Sequence, residues 1–408
     1  MKVINIKELE PGMFVMRVVS QKGQVKVKNQ GWVKTAKSIA ALAAAGIVEI
    51  EIDPSKTLAA EPTNAWRDNA PKPTAPATVA TSTATTKRSP SHKSTSIEGE
   101  MSVAIELYQE AKQLQQKAFD DIKAGRNIDV SAFQAAASGI IDSIFRNQDA
   151  LACIARIREK DAYLLEHSLN VSILISIFAK HLELERDVIE VLATGALLHD
   201  IGKIQIPDKV LHKAGKLTEP EFQVMQQHAK FSKAILEQSG LPEIAIDIAA
   251  YHHERLDGSG YPFQLTGDAI SQYVRMASIV DVYDALTAER VYKTGMTPIK
   301  AFKILREGCP HHFDESLLSQ FIQCIGLYPV GTLVKLKSGR VGVVAQSNSN
   351  APLKPIVKVF YHAKHMHHVQ VQDIDLASKK VDDELEAAIK PEEFNIDLIR
   401  FFRQSMLP

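Results

Sequence analysis

The chain has 408 residues, 45% of them apolar, which predicts two or three domains with enough apolar material for a packed core. Its 48 basic and 48 acidic residues give a formal net charge of +0, which excludes a protein that coats nucleic-acid polymers. Three cysteines without a CxxC pair argue against a disulfide scaffold, and the absence of a long apolar run or signal-peptide core predicts a cytoplasmic protein without a membrane span.

Residues 1–52 are predicted to form a small α+β domain. A strand-rich stretch around Trp32 precedes an alanine-rich segment, residues 35–46, that predicts a helix ending at a glycine. The next residues, 47–52, alternate in a way that predicts a strand.

Residues 53–97 are predicted to be a flexible linker, since this stretch contains six of the 18 prolines and few large apolar groups.

A helical body is predicted from residue 98 to residue 327, divided into a connector over 98–158 and a main domain over 159–327. Apolar residues in the connector recur at helical spacing, at Leu107, Ala111, Leu114 and Ala118. Further helices are predicted at 161–182, 186–200, 218–239, 243–253, 271–288 and 314–325.

The last segment, residues 328–408, is predicted to be a β extension followed by a C-terminal helix. Apolar and polar residues alternate around Ser-Gly and Asn turns there, which is typical of a small antiparallel meander. The predicted fold class is therefore mainly α, with small strand-containing regions at both ends.

Histidines and aspartates in the helical body form an ordered set. The set comprises His167, His199, Asp200, His228, His252, His253 and Asp281. Neighbouring side chains on a helix diverge, so an adjacent His-Asp or His-His pair suits two neighbouring ions better than one. Nitrogen and oxygen ligands without thiolates suit Fe, Mn, Co, Ni or Zn. Any one of these histidines alone is more often an ordinary core or surface residue, and only the ordered set is specific.

The segment after His253 contains two glycines, Gly258 and Gly260, that permit a close approach of the backbone. Tyr261 and Pro262 follow and would form an apolar wall beside the metal ligands. A plain turn that ends a helix is the alternative interpretation.

His199-Asp200-Ile-Gly-Lys203 and the segment from His252 to Pro262 resemble the HD-GYP family, a branch of the HD-domain phosphohydrolases. The resemblance covers residues 160 to 327, and the first domain and its linker resemble a poorly characterised domain found before HD-GYP in many bacterial proteins. It implies a helical HD-domain bundle in a signalling enzyme that cleaves cyclic di-GMP to linear pGpG or to GMP, using a metal-bridged hydroxide.

The resemblance also implies roles for individual residues. The seven residues of the ordered set would be metal ligands, with Asp200 bridging two ions and also acting in catalysis. Lys203 would stabilise charge on a phosphate oxygen. The implied substrate contacts are Lys203, Gly260, Tyr261, Pro262, Asp284, Arg290 and Lys293.

Tyr163 occupies the position at which family members with three metals have a glutamate. A neutral phenol gives no comparable ligand, so two divalent ions are predicted, iron or manganese first, with pGpG as the main product. Recruitment of a third ion by another carboxylate, such as Asp284, is the alternative.

Two rival functions stay open at this point: a sensor that binds a cyclic dinucleotide without turnover, and a hydrolase of another cyclic nucleotide. The expected partners are the cyclic dinucleotide, diguanylate cyclase (GGDEF) proteins and a second copy of the chain. His311-His312 and the histidine-rich run from His362 to His368 could bind metal, but solvated polar residues are the favoured interpretation.

Overall fold

The structure is a computed structural model with two compact units, residues 1–87 and residues 88–408. It describes residues 2–9, 13–21, 31–32, 39, 47–52, 94–156, 163–213, 215–288, 295–348, 351–394, 396 and 401. The predicted linker lies outside these residues up to position 93, and so does the predicted helix at 35–46 apart from Ile39.

The N-terminal unit contains an antiparallel sheet in the order β1-β4-β2-β3. Its strands are β1 (Lys2–Asn5), β2 (Phe14–Gln21), β3 (Gly31–Trp32) and β4 (Ile47–Ile52). The predicted strand at 47–52 is confirmed. It lies between β1 and β2 and buries Ile47, Ile50 and Ile52 in a small core of its own.

The described part of the second unit contains ten α-helices. They are α1 (Ile97–Lys123), α2 (Val130–Ile154), α3 (Tyr163–His181), α4 (Arg186–Leu198), α5 (Asp208–Leu211), α6 (Glu219–Gln238), α7 (Glu243–Tyr251), α8 (Gln272–Thr287), α9 (Pro298–Glu307) and α10 (Glu315–Ile325). The mainly helical fold class is confirmed. Among the described helices, none combines the length and the apolarity needed to cross a bilayer.

Two helix boundaries differ from the sequence prediction in ways that affect the site. The predicted helix at 186–200 ends at Leu198, because the chain enters a short 3-10 helix at Ile201–Gln205. The predicted helix at 243–253 ends at Tyr251. The His199-Asp200 pair and the His252-His253 pair therefore lie at helix ends, where side chains are not restricted to a single helix face. Helix α9 was not predicted from the sequence, because it is short and only four of its residues are buried.

The predicted β extension is a five-stranded antiparallel sheet in the order β8-β7-β6-β5-β9. Its strands are β5 (Leu333–Leu336), β6 (Arg340–Gln346), β7 (Ile356–His362), β8 (His367–Asp375) and β9 (Leu385–Ala388). Buried valines of β6 and β7 belong to the same hydrophobic core as the helices. The Asp149 carboxylate of α2 accepts hydrogen bonds from the Ser347 backbone N–H and hydroxyl, at 3.1 and 3.0 Å. The predicted C-terminal helix lies outside the described residues apart from Phe401.

Candidate metal centre

Five helices contribute to one buried centre. His167 lies in α3, His199 and Asp200 follow α4, and His228 lies in α6. His252 and His253 follow α7, and Asp281 lies in α8. All of these side chains are buried except His253, which is partly exposed. The structure thus brings together all seven residues of the ordered set.

Gly202 determines how closely the turn after Asp200 approaches α6. A Cβ atom at this position would lie 2.2 Å from the His228 carbonyl oxygen and 2.4 Å from the Ser232 nitrogen. The Gly202 N–H donates to the Ser232 hydroxyl at 2.9 Å. Only glycine allows this contact, which holds His228 opposite Asp200.

Three imidazoles are oriented by the backbone of their own helices. The Nδ1 atoms of His199, His228 and His252 lie 2.7, 2.7 and 3.0 Å from carbonyl oxygens three or four residues earlier. A carbonyl oxygen only accepts, so the proton is on Nδ1 and a lone pair is on Nε2. This is the tautomer that ligates a metal through Nε2.

The inward-facing atoms of these residues have no donor among the described residues. Nε2 of His199, His228 and His252 and Oδ1 of Asp200 are buried and form no hydrogen bond. Leaving buried polar atoms unpaired is costly, and it is rare in native proteins. A group of lone pairs facing one another is satisfied by a cation, so the donor set fits a metal site.

Asp200 presents its two oxygens to different imidazoles. Oδ2 lies 3.3 Å from His199 Nε2 and 3.8 Å from His167 Nε2. Oδ1 lies 3.4 Å from His228 Nε2 and 3.9 Å from His252 Nε2. The carboxylate therefore lies between two sets of nitrogen donors.

His167 is held between two carboxylates of α8. Its Nε2 lies 2.9 Å from Asp281 Oδ1, and its Nδ1 lies 2.7 Å from Asp284 Oδ2. Burial lowers the pKa of His167, but Asp281 and Asp284 outweigh it and raise that pKa to about 9. Asp284, predicted to contact substrate, is instead fully buried behind His167, where it orients the ring.

Unlike the raised pKa of His167, the pKa shifts of His252, His228 and Asp200 favour the metal-binding forms of these side chains at neutral pH. Burial, reinforced by neighbouring imidazoles, lowers the pKa of His252 to about 3, and burial lowers the pKa of His228 to about 4. Burial alone would raise the pKa of Asp200, but Lys203 and His199 hold it well below the ordinary carboxyl value. The imidazoles of His228 and His252 are therefore neutral and Asp200 is anionic.

The described His, Cys, Asp and Glu side chains form three groups compact enough to hold an ion. These are His228, His252 and His253; His167, His199 and Asp281; and His199, Asp200 and His252. Together they contain all seven predicted ligands and no other described residue. The groups share His199 and His252, so they form one continuous cluster.

Lys203 lies at the edge of this cluster, in the 3-10 helix. Its Nζ lies 2.5 Å from Asp200 Oδ2, and its side chain is 18% exposed. The ammonium group thus lies between the buried carboxylate and solvent, which is the direction from which an anionic ligand would arrive. Arg290 and Lys293, the other predicted phosphate contacts, lie outside the described residues.

The loop after His253 is held by the buried carboxylate of Glu254. It accepts hydrogen bonds from the backbone N–H groups of Phe263 at 2.7 Å and Leu265 at 3.0 Å. A Cβ atom on Gly260 would lie 2.4 Å from the Arg255 nitrogen, so this position requires glycine. Glu254 lies within the motif from His252 to Pro262, and the sequence alone predicted no function for it.

The loop places Tyr261 over His253, as the predicted apolar wall requires. Their ring centroids are 4.6 Å apart, and the Tyr261 N–H donates to the His253 carbonyl oxygen at 3.3 Å. Phe222 of α6 contacts the Tyr261 ring edge-on at a centroid distance of 6.0 Å and is 40% exposed. Phe222 was not predicted from the sequence, since its only signal is a large aromatic residue among polar neighbours in the first turns of a helix.

His311 and His312 support the loop through their backbone. Their carbonyl oxygens accept hydrogen bonds from the N–H groups of Asp257 at 2.8 Å and Leu256 at 3.4 Å. These histidines are not part of a metal-binding group among the described residues.

Comparison with known proteins agrees with this arrangement. Residues 152–317 match the family model of the HD domain, residues 1–133 match a domain of unknown function (DUF3391), and residues 333–381 match a KOW domain associated with HD domain. A cyclic di-GMP phosphodiesterase of Pseudomonas aeruginosa is 36% identical over 288 residues, which are 70% of this chain and 69% of that protein.

Two further similarities are more limited. A 3'3'-cGAMP-specific phosphodiesterase of Vibrio cholerae is 39% identical over 43% of this chain and 33% of that protein. An HDG"Y"P protein from Bdellovibrio bacteriovorus, whose structure is solved, superimposes with a TM-score of 0.47 at 16% identity, covering 78% of this chain and 97% of that one.

A helical bundle with a buried cluster of imidazoles and carboxylates at its helix ends defines a metal-binding helical protein of the HD type. With its intact His-Asp pair and Gly-Tyr-Pro loop, the chain belongs to the HD-GYP family.

Proposed function

We propose that this protein is a metal-dependent phosphodiesterase that hydrolyses a cyclic dinucleotide, with cyclic di-GMP as the first candidate. The observation that carries the proposal is the group of buried, donor-free acceptors on His199, His228, His252 and Asp200. The activity of the Pseudomonas aeruginosa relative supports the substrate, and the cGAMP-specific relative supplies the alternative within the same class.

Two divalent ions, iron or manganese first, are proposed at the cluster. Imidazole and carboxylate ligands without thiolates suit these metals. The overlap of the donor groups at His199 and His252 supports more than one ion. The opposed oxygens of Asp200, each near a different pair of imidazoles, support its bridging role.

The chemistry that such ions supply is Lewis acidity towards phosphoryl oxygens and a nucleophile at neutral pH. The chain's own residues then bind and orient the substrate. Lys203 exchanges its contact with Asp200 for a phosphate oxygen and stabilises negative charge developing there. Arg290 and Lys293, on the basis of the family resemblance, hold the second phosphate.

The aromatic residues at the mouth are proposed to contact the bases. Tyr261 is fixed against His253, and Phe222 presents an exposed ring edge-on to Tyr261. A purine has a π-face that stacks on such rings. Gly260 and Pro262 keep the backbone of this wall close to the metal ligands.

Linear pGpG is the proposed main product, because Tyr163 replaces the glutamate of three-metal relatives. The side chain of Tyr163 lies outside the described residues, so this proposal rests on the sequence. The protein is further proposed to act in the cytoplasm, with diguanylate cyclases as signalling partners and a second copy of itself as an assembly partner. The predicted divisions at residues 52, 97, 158 and 327 are kept as the proposed domain boundaries.

The test is hydrolysis by protein purified without oxygen and loaded with iron or manganese. Cyclic di-GMP, 3'3'-cGAMP and cyclic di-AMP are incubated separately, and the products are resolved by chromatography. We expect cyclic di-GMP to yield pGpG fastest. Binding of all three without any product would contradict the proposal and indicate a sensor.

A further inference from the structure

Three histidines lie together at the tip of the β7–β8 hairpin, in the sheet that follows the last helix in sequence. His362 and His367 are directly opposite each other across the two strands, and His365 lies in the turn that connects them. Opposite residues on one sheet face have neighbouring side chains. The fold therefore brings together three histidines that were predicted from the sequence to be solvated.

The spacing of the three rings is close to that of a metal site. The centroid of the His365 ring lies 4.5 Å from His362 and 5.8 Å from His367, and the latter two are 6.4 Å apart. Imidazoles bound to one tetrahedral ion at about 2.0–2.1 Å have centroids roughly 5 Å apart. The ring nitrogens of the three histidines are not close enough together to bind one ion, so His367 has to rotate about its side-chain torsions.

One nitrogen in this cluster is buried without a partner. Nδ1 of His362 forms no hydrogen bond with any described residue. The β5–β6 turn covers this ring, since a Cβ atom at Gly339 would lie 3.2 Å from His362 Cε1. His365 and His367 are exposed, so their reorientation meets little steric resistance.

We propose that His362, His365 and His367 form a second metal site, which binds one Zn²⁺ ion with water as the fourth ligand. Imidazole alone suits Zn²⁺, Ni²⁺ or Cu²⁺ and does not suit the hard ions Mg²⁺ and Ca²⁺. The bound ion links β7 to β8 at their turn. That turn is already joined to the β5–β6 turn by the Ala363 N–H, which donates to the Gly339 carbonyl oxygen at 2.8 Å.

His368 provides a matched control on the same strand. Successive residues of a strand point to opposite faces, so His368 faces away from the cluster. It lies against Tyr361 instead, at a ring-centroid distance of 5.3 Å. A His368→Ala variant removes one histidine from the run without touching the proposed site.

The experiment compares the full-length protein with His365→Ala, His367→Ala and His368→Ala. Each protein is dialysed to equilibrium against a fixed free concentration of Zn²⁺, and bound zinc per chain is measured by mass spectrometry. We expect His365→Ala and His367→Ala each to retain one zinc fewer than the wild type, and His368→Ala to retain the wild-type amount. Equal zinc content in all four proteins would overturn the proposal.

Covalent labelling of histidines shows which rings bind the zinc that the variants lose, because a metal-bound ring nitrogen does not react. In the wild type, Zn²⁺ should protect His362, His365 and His367 from an acylating reagent, while His368 stays reactive. Hydrolysis of cyclic di-GMP should not change in the His365→Ala variant. Loss of zinc without protection of these three rings would place the ion elsewhere and overturn the assignment.

Discussion

The two histidine clusters of this protein differ in how their rings are held. In the helical centre, His199, His228 and His252 each direct a buried Nε2 inward because Nδ1 is bound to the backbone. At the hairpin tip, His365 and His367 are exposed, and the only such contact is His367 Nδ1 with the His365 carbonyl oxygen at 3.3 Å.

The difference shows what surrounding hydrogen bonds contribute to a metal site. A preoriented ring loses little rotamer freedom on binding, whereas an exposed ring must be ordered by the metal itself. We therefore expect tight binding at the helical centre and weaker, exchangeable binding at the hairpin.

The largest effect is expected for Asp200→Ala, which tests metal binding at the helical centre. This change removes the carboxylate that lies between both sets of imidazoles, so we expect activity to fall to background and metal to be lost from the helical centre. Metal content and turnover are measured together, with the exposed Asp208→Ala as the control. Full metal content with normal turnover would refute the assignment of Asp200 as a ligand.

Lys203→Ala should separate charge stabilisation from metal binding. We expect the metal content to be kept while kcat falls on the order of 100-fold, because a charge-stabilising donor is removed. Steady-state kinetics and metal analysis check this, and Lys209→Ala, at another exposed lysine nearby, is the control. An unchanged kcat would remove Lys203 from the mechanism.

Asp284→Asn tests the support of His167 directly. The variant keeps the volume of the side chain but loses the charge that orients the ring, so metal affinity should fall about 10- to 100-fold. Chelator competition measures the affinity, and Asp284→Glu should restore part of it. Thermal unfolding of the metal-free variant distinguishes lost orientation from a lost fold. Unaltered affinity would assign Asp284 a purely structural role.

Phe222→Ala tests the aromatic mouth. Loss of one stacking face of roughly 1 kcal/mol should raise KM about five-fold and leave kcat unchanged. The exposed Val224 on the same helix gives the control, Val224→Ala. A KM identical to that of the wild type would exclude Phe222 from substrate binding.

Deletion of residues 1–93 should have the smallest effect. It keeps Ser96, whose hydroxyl accepts a hydrogen bond from the Gly99 N–H at 3.1 Å and caps α1. It also keeps Thr95, whose carbonyl oxygen accepts from Asn147 at 2.9 Å. We expect the shortened protein to bind metal and turn over substrate at the full-length rate, measured under identical loading. An insoluble or metal-free product would show that the first domain is part of the catalytic fold.

The sequence predicted the seven residues of the ordered set better than it predicted the residues that position them. The ordered set was recognisable because its residues occur in a fixed order within a long motif, although any one of them alone is not specific. The positions of Phe222 and Asp284 in the site depend on which helices pack against each other, and the spacing of residues within one helix does not reveal that packing. Gly202 was quoted only as part of a motif, since the need for glycine arises from α6, which is distant in sequence from the turn.

The hairpin histidines show that the sequence of a strand does not reveal its neighbours either. A run of histidines is compatible with a solvated loop until the register is known. The pairing of His362 with His367 is fixed by the length and conformation of the turn between them, which residue type alone does not reveal.

The shared core of helices and sheet has a consequence for gene truncation. Six valines of the sheet are fully buried in that core: Val334, Val341, Val343, Val344, Val357 and Val359. Each contributes about 1.5–3 kcal/mol by burial, so together they are comparable with the whole stability of a typical domain, about 5–15 kcal/mol. A premature stop codon after the last helix would therefore leave a polypeptide that aggregates or is degraded, and not an enzyme that merely lacks an accessory module.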